Sequence, residues 1–130
     1  MKHIVLTTLL TATCMLAHAA GAVVITHPGT QLQASDVNEV FLGNKQFVGS
    51  VKLVPVDNAQ TQAAFLSDVL KIDANKYHHV WARKAFQDGV APPPVKGTDA
   101  EVLEYVKRTP GAVGYVSTDP GKGAVNVVGK

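Results

Sequence analysis

Four short stretches of apolar, mostly β-branched residues predict β-strands in this chain. They lie at 21–26, 51–56, 109–116 and 124–128, and glycine or proline residues flank them. Pro55 lies inside the second stretch and has no backbone N–H to donate. We therefore expect that stretch to form an edge strand or the end of a strand.

Four other stretches carry apolar residues at the three-and-four spacing of an amphipathic helix. They lie at 35–43, 58–70, 73–85 and 98–106, and the last begins with a Thr-x-x-Glu capping box ending at Glu101. The resulting order is β-α-β-α-α-α-β-β. This order favours a single three-layer α/β sheet over a sandwich or a helical bundle.

The first 20 residues have the features of a secretory signal peptide. Lys2 supplies the positive start, residues 4–16 are mostly apolar, and Ala17-His18-Ala19 places small residues where a signal peptidase cuts. We expect cleavage after Ala19 or Ala20. The exported domain would then comprise residues 21–130 and reside in the periplasm.

Two other interpretations of the N-terminus are less favourable. A membrane anchor is disfavoured because four threonines interrupt a stretch that is shorter than the roughly 20 apolar residues a span requires. A lipoprotein is disfavoured because the residue three positions before Cys14 is Thr11, where such proteins usually have leucine.

Composition limits the remaining function classes. Hydrophobic residues make up 46% of the chain and charged residues 17%, which is enough apolar material for a folded core. Loss of Lys2 with the signal peptide lowers the formal net charge from +2 to +1, and the rest of the chain has no Lys/Arg cluster longer than a pair. Nucleic acid and anionic membranes are therefore not expected as partners.

No pattern in the sequence indicates an enzyme, a metal site or a cofactor. The adjacent His78 and His79 point about 100° apart on a helix, and no H-E-x-x-H motif accompanies them or His27. The sole cysteine belongs to the signal peptide, and no serine lies in a G-x-S-x-G motif. We expect a non-enzymatic protein whose histidines lie on the surface.

The segment from Asp57 to Thr61 is the best candidate for ligand binding. It joins the end of a predicted strand to the start of a predicted helix, where backbone N–H groups and the helix dipole favour an anion. Asp57, Asn58 and Thr61 are the candidate ligand-binding residues. The alternative is structural: an Asx side chain in this segment caps the helix and no ligand is involved.

Several motifs together resemble the phosphate ABC transporter substrate-binding proteins, and most closely the short, single-lobe members of that type 2 periplasmic binding-protein family. The resemblance extends from about Val23 to Val128. The motifs that carry it are Phe41-Leu-Gly-Asn44, Lys52-Leu-Val-Pro-Val56, Asp99-Ala-Glu-Val102 and Thr109-Pro-Gly-Ala-Val-Gly-Tyr-Val116.

The resemblance implies one α/β lobe of a protein that normally closes two lobes over phosphate. Where the family has Arg, Asp and then Ser-Gly-Thr, this chain has Pro55, Asp57 and Ala59-Gln60-Thr61. The aspartate and the threonine are thus kept, while the arginine and the serine are absent. A second wall for a ligand site would have to come from a homodimer or another protein.

Two functions remain open at this point. The first is an exported, non-enzymatic binding-protein-like domain that binds a small oxyanion such as phosphate weakly. The second is a periplasmic protein-interaction or sensory accessory domain, without a small-molecule ligand, that docks on a membrane transporter or sensor.

Overall fold

The computed structural model describes residues 21–129, so the predicted signal peptide lies outside the described residues. The strands are β1 (Val23–Thr26), β2 (Phe47–Val48), β3 (Val51–Lys52), β4 (Val54–Pro55), β5 (Asp57–Asn58), β6 (Val95–Lys96), β7 (Ala112–Val116) and β8 (Asn126–Val127). The α-helices are α1 (Val37–Phe41), α2 (Gln62–Ala64), α3 (Ala74–Asp88) and α4 (Asp99–Arg108). A 3-10 turn at Ala34–Asp36 precedes α1, and a π-helix at Phe65–Leu70 follows α2.

The central sheet has four strands in the order β4-β7-β1-β8. β1 pairs antiparallel with both β7 and β8, whereas β4 pairs parallel with β7. β4 lies at one edge of the sheet and contains Pro55, as the missing N–H of proline predicts. Two small sheets complete the strand pairing: β2 with β3 antiparallel, and β5 with β6 parallel.

Helices cover both faces of the central sheet, which gives the three-layer α/β fold predicted from the sequence. Successive residues of a strand face opposite sides, so Val24 and Tyr115 belong to one core cluster and Ile25 and Val116 to the other. The first cluster contains residues of α1, the π-helix and α3. The second contains Val102 and Val106 of α4.

Gly114 lets α4 approach the sheet closely. A Cβ atom at this position would lie 2.8 Å from Cγ1 of Val102, 2.9 Å from Cγ1 of Val56 and 3.1 Å from Cγ2 of Val106. These distances are shorter than a normal carbon–carbon contact. The missing side chain therefore sets the spacing between β7 and α4.

Two sequence predictions are corrected by the structure. The stretch 51–56 forms two separate two-residue strands, because β3 pairs with β2 whereas β4 pairs with β7 of the central sheet. The helix predicted from Asn58 begins at Gln62 instead, since Asn58 pairs with β6. The proline-rich stretch 91–95 runs into strand β6.

The structure confirms the threonine bond of the predicted capping box, whereas the glutamate binds a neighbouring backbone N–H. The Oγ1 atom of Thr98 accepts a hydrogen bond from the N–H of Glu101 at 3.2 Å. The Glu101 carboxylate accepts the N–H of Gly97 at 3.0 Å. In a capping box it would accept the N–H of the next residue, Thr98. α4 thus begins at the predicted residue, and this places Asp99 in its first turn.

Candidate functional site

The segment from Asp57 to Thr61 lies beside residues 94–96, which begin at the last proline of the stretch 91–95. The N–H of Asp57 donates to the carbonyl of Pro94 at 2.8 Å, and that of Ala59 donates to the carbonyl of Lys96 at 2.8 Å. These bonds form the short β5–β6 sheet. The segment is therefore fixed on one side by the chain that leads into α4.

Asp57 is buried and accepts hydrogen bonds from two tyrosines. The hydroxyl of Tyr115 donates to Oδ1 at 2.8 Å, and that of Tyr77 donates to Oδ2 at 2.9 Å. Burial raises the pKa of Asp57, although the two tyrosine hydrogen bonds act to lower it. Burial, with the nearby carboxylate, also raises the pKa of both tyrosines.

This arrangement makes Asp57 a junction between three elements. Tyr77 belongs to α3 and Tyr115 to β7, and the ring of Tyr115 stacks on Phe65 of the π-helix at a centroid distance of 3.8 Å. The side chain of Asp57 is 3% exposed. Its carboxylate is thus directed into the core, where it accepts hydrogen bonds from both tyrosine hydroxyls.

Asn58 is fully buried, and its side chain makes three hydrogen bonds within the protein. Its Nδ2 atom donates to Oδ1 of Asp99 at 2.6 Å and to the carbonyl of Tyr115 at 2.8 Å. Its Oδ1 atom accepts the N–H of Gln60 at 3.0 Å. This last bond is an Asx turn. It does not cap a helix, because α2 begins at Gln62 and has no side-chain capping hydrogen bond, so the capping alternative considered for this segment is not what Asn58 does.

Thr61 precedes α2 and uses its hydroxyl in a tertiary contact. Oγ1 donates to Oδ1 of Asp99 at 2.8 Å, and it makes no capping hydrogen bond to the helix that follows. The backbone N–H of Thr61 donates to the carbonyl of Asn58 at 3.1 Å. The backbone N–H groups of residues 59, 60 and 61 therefore all donate hydrogen bonds to other groups of the protein.

The contacts of Asn58 and Thr61 converge on Asp99. The second carboxylate oxygen of Asp99 accepts the N–H of Ser117 at 3.2 Å and also the Ser117 hydroxyl. Burial alone would raise the pKa of Asp99, but the hydrogen bonds from Ser117, Asn58 and Thr61 outweigh it and hold the pKa below its usual value. These bonds therefore favour the ionised carboxylate.

The structure brings Asn58 and Thr61 together at the carboxylate of Asp99. The carboxylate of Asp57 instead faces the hydroxyls of Tyr77 and Tyr115. Sequence reasoning missed Asp99 and Ser117 as partners of this segment. Asp99 lies 38 residues after Thr61 in the sequence, one residue after the threonine that begins the predicted capping box. No local motif links positions so far apart, because their contact depends on the packing of α4 on the sheet.

The three histidines considered in the sequence analysis all lie in the part of the chain that the structure describes. His27 uses Nδ1 to accept the N–H of Gly29 at 3.0 Å, while His78 and His79 are exposed on α3. Among residues 21–129, no group of three or more metal-ligating side chains is close enough to hold an ion. No helix within that range is long and apolar enough to cross a membrane.

An open cavity of about 750 Å³ lies away from this network, between the end of β1 and the C-terminal loop. Its lining includes Thr26, Leu32, Lys122 and Val125. It does not include the candidate residues Asp57, Asn58 and Thr61. The candidate segment and this cavity are therefore separate features.

Comparison with solved structures identifies the architecture. PstS from Borrelia burgdorferi superposes with a TM-score of 0.57 at 16% sequence identity, over 83% of this chain and 46% of PstS. The chain has a PstS-type fold. It spans less than half the length of that PstS chain, and the shared region includes most of the domain predicted from the sequence.

A second solved structure is an ABC-type phosphate transport receptor from Vibrio cholerae. It superposes with a TM-score of 0.49 at 15% identity, over 83% of this chain and 45% of the receptor. No protein-family model matches the sequence, and no curated protein matches it either. The PstS-type assignment therefore concerns the fold and agrees with the resemblance read from the sequence motifs.

Proposed function

We propose that this chain is an exported, non-enzymatic domain of PstS-type fold that acts through contacts with an envelope protein. In this proposal the signal peptide at 1–20 is removed and residues 21–130 work in the periplasm. The membrane transporter or sensor predicted from the sequence is the partner. Phosphate and other free oxyanions are not its ligands at the candidate segment.

The proposal rests on one observation: the side chains of all three candidate residues already make hydrogen bonds to other groups of the protein. Asp57 is engaged by two tyrosine hydroxyls, and Asn58 and Thr61 both donate to Asp99. A free oxyanion would have to compete with the carboxylate of Asp99 for the same donors. It would also approach two buried or half-buried aspartates without an Arg or Lys in this network to offset the repulsion.

The resemblance of the sequence motifs also supports a protein partner. Phe41-Leu-Gly-Asn44 and Thr109-Pro-Gly-Ala-Val-Gly-Tyr-Val116 resemble motifs of transporter components. The proposal therefore favours a membrane transporter or sensor as the partner over a second copy of the chain.

Weak oxyanion binding remains the second candidate function. One observation favours it: donors from three parts of the chain converge on a single anionic group. This is the kind of donor set that binds a free anion. The wild-type protein would bind an anion there only if Asp99 moved away.

Calorimetric titration of the purified exported protein with phosphate and sulfate separates the two candidates. We expect no saturable heat up to millimolar ligand. Saturable binding that is abolished by Thr61→Val and retained by the exposed control Thr118→Val would establish oxyanion binding at this segment and overturn the first proposal.

Cross-linking in intact cells tests the protein partner directly. We expect one envelope protein to be identified reproducibly by mass spectrometry in cross-linked products of the domain. Those cross-linked products should be lost when that protein is deleted from the cell. Recovery of no reproducible envelope protein, in cells where the domain is exported and folded, would contradict the partner proposal.

A further inference from the structure

The carboxylate of Asp99 is held by four hydrogen bonds. At Oδ1 it accepts from Nδ2 of Asn58 at 2.6 Å and from Oγ1 of Thr61 at 2.8 Å. At Oδ2 it accepts the N–H of Ser117 at 3.2 Å and the hydroxyl of the same residue. The four donor groups, which we call the Asp99 cradle, come from β5, the residue before α2, and the residue after β7.

The chemistry of the cradle is that of an anion-binding site. Three side-chain donors and one backbone N–H surround two oxygens that share a negative charge, and hydrogen bonds to ionised acceptors are stronger than neutral ones. The group bound there belongs to the chain itself. Asp99 is tethered through the first turn of α4, which packs on β7 through Val102 and Val106.

We propose that Asp99 is an internal anion that closes this cradle to external oxyanions, and that removing its carboxylate exposes a binding site for a small free oxyanion. This inference rests on the Asp99 cradle alone and does not require the proposed envelope partner. It assigns to Asp99 the role of a blocking residue.

The tether explains why a free anion does not compete in the wild-type protein. A group attached next to its site acts at an effective concentration of about millimolar or higher, and a rigid attachment raises that value further. A free anion would also leave the Asp99 carboxylate displaced and without its four donors. Both effects favour the internal carboxylate.

The anion used as a probe is chosen to match the size of the Asp99 carboxylate that the substitution removes. Asp99→Ala retains Cβ and deletes only the carboxylate, so formate has the shape of the group that is removed. Phosphate, with more acceptor oxygens, is the second probe. Sodium chloride at equal ionic strength controls for general salt effects.

Two matched variants isolate the effect of the vacated cradle. Asp99→Asn removes the charge but fills the space, so it should give no anion site. Glu101→Ala removes another acidic residue of the first turn of α4, whose carboxylate binds the N–H of Gly97 outside the cradle. It therefore controls for lost charge at the helix start.

The measurement is the thermal unfolding midpoint of the purified exported protein at increasing anion concentration. We expect formate to raise the midpoint of Asp99→Ala saturably, by about 3 °C or more above the chloride control. The wild-type protein, Asp99→Asn and Glu101→Ala should show no formate effect beyond chloride. Adding Thr61→Val to Asp99→Ala should abolish or strongly weaken the response.

The first two results below decide the blocking role of Asp99 alone, whereas the third also decides whether the wild-type protein binds a free oxyanion. If Asp99→Ala is folded and responds to neither formate nor phosphate beyond chloride, the blocking role of Asp99 is wrong. If Asp99→Ala does not fold, Asp99→Ser takes its place, and absence of a response in that variant equally overturns the blocking role. If the wild-type protein binds phosphate as tightly as Asp99→Ala, Asp99 does not block the cradle and the proposed absence of a free ligand fails as well.

Discussion

The hydroxyl of Thr61 donates a hydrogen bond to Oδ1 of Asp99 at 2.8 Å, across 38 residues of sequence. The contact joins the residue before α2 to the first turn of α4. The sequence predicts Thr61 as a ligand-binding residue for an external anion. In the structure its hydroxyl instead binds the carboxylate of Asp99, which belongs to the same chain. Both the proposed function and the blocking role of Asp99 depend on this relationship.

Thr61→Val should destabilise the protein by about 1–2 kcal/mol. The substitution keeps the shape of the side chain but removes a donor to a charged acceptor, and Asp99 retains its other hydrogen bonds. The free energy of unfolding in urea measures the loss. Thr118→Val, at an exposed position, should change it by less than about 0.5 kcal/mol, and equal effects of the two variants would contradict the contact.

Tyr115→Phe should cost about 1–3 kcal/mol, because the buried carboxylate of Asp57 loses a donor while the aromatic ring remains. Adding Tyr77→Phe should cost more than either change alone, since it removes the second tyrosine donor as well. Urea unfolding again provides the measurement. Tyr105→Phe, which keeps the ring beneath Lys96, is the control, and a loss as large as that of Tyr115→Phe would rule out this explanation.

The response of stability to acid should depend on Asp99. Its pKa is lower in the folded state than the ordinary value of 3.8, so its contribution is present above that value and is lost as the pH falls through the lower, folded pKa. Asp99→Asn should therefore be less stable than the wild-type protein at pH 7, and the difference should shrink below about pH 4. A difference that stays constant from pH 7 to pH 3 in urea unfolding would argue against an ionised, hydrogen-bonded Asp99.

Gly114→Ala should destabilise the fold by about 1–3 kcal/mol, because the added methyl group would meet Val102, Val56 and Val106 at 2.8–3.1 Å. Gly97→Ala is the matched control, since the closest atom to its added Cβ, Oε2 of Glu101, is 3.6 Å away. Thermal unfolding of both variants tests the close packing of α4 on β7. A midpoint for Gly114→Ala equal to that of Gly97→Ala would mean that α4 can move away without cost.

Much of the fold follows from local patterns. Thr98 and Glu101 predicted the start of α4 because capping depends on groups only three residues apart. The buried strand β7 followed from its apolar residues, and Pro55 lies in an edge strand as its missing N–H requires. The helix predicted from Asn58 was wrong because pairing with β6, more than 30 residues later, overrides local helix propensity.

Local sequence patterns predicted the α/β class, the first turn of α4, and Asp57, Asn58 and Thr61 as a polar segment between strand and helix. The partners of those three residues depend on the packing of elements that are far apart in the sequence. Packing of α4 against β7 brings Asp99 to Asn58 and Thr61, while α3 and β7 deliver two tyrosine hydroxyls to Asp57. Hydrogen bonds act over about 3 Å in space irrespective of sequence separation, so the partners of a polar segment are set by the packing of distant elements.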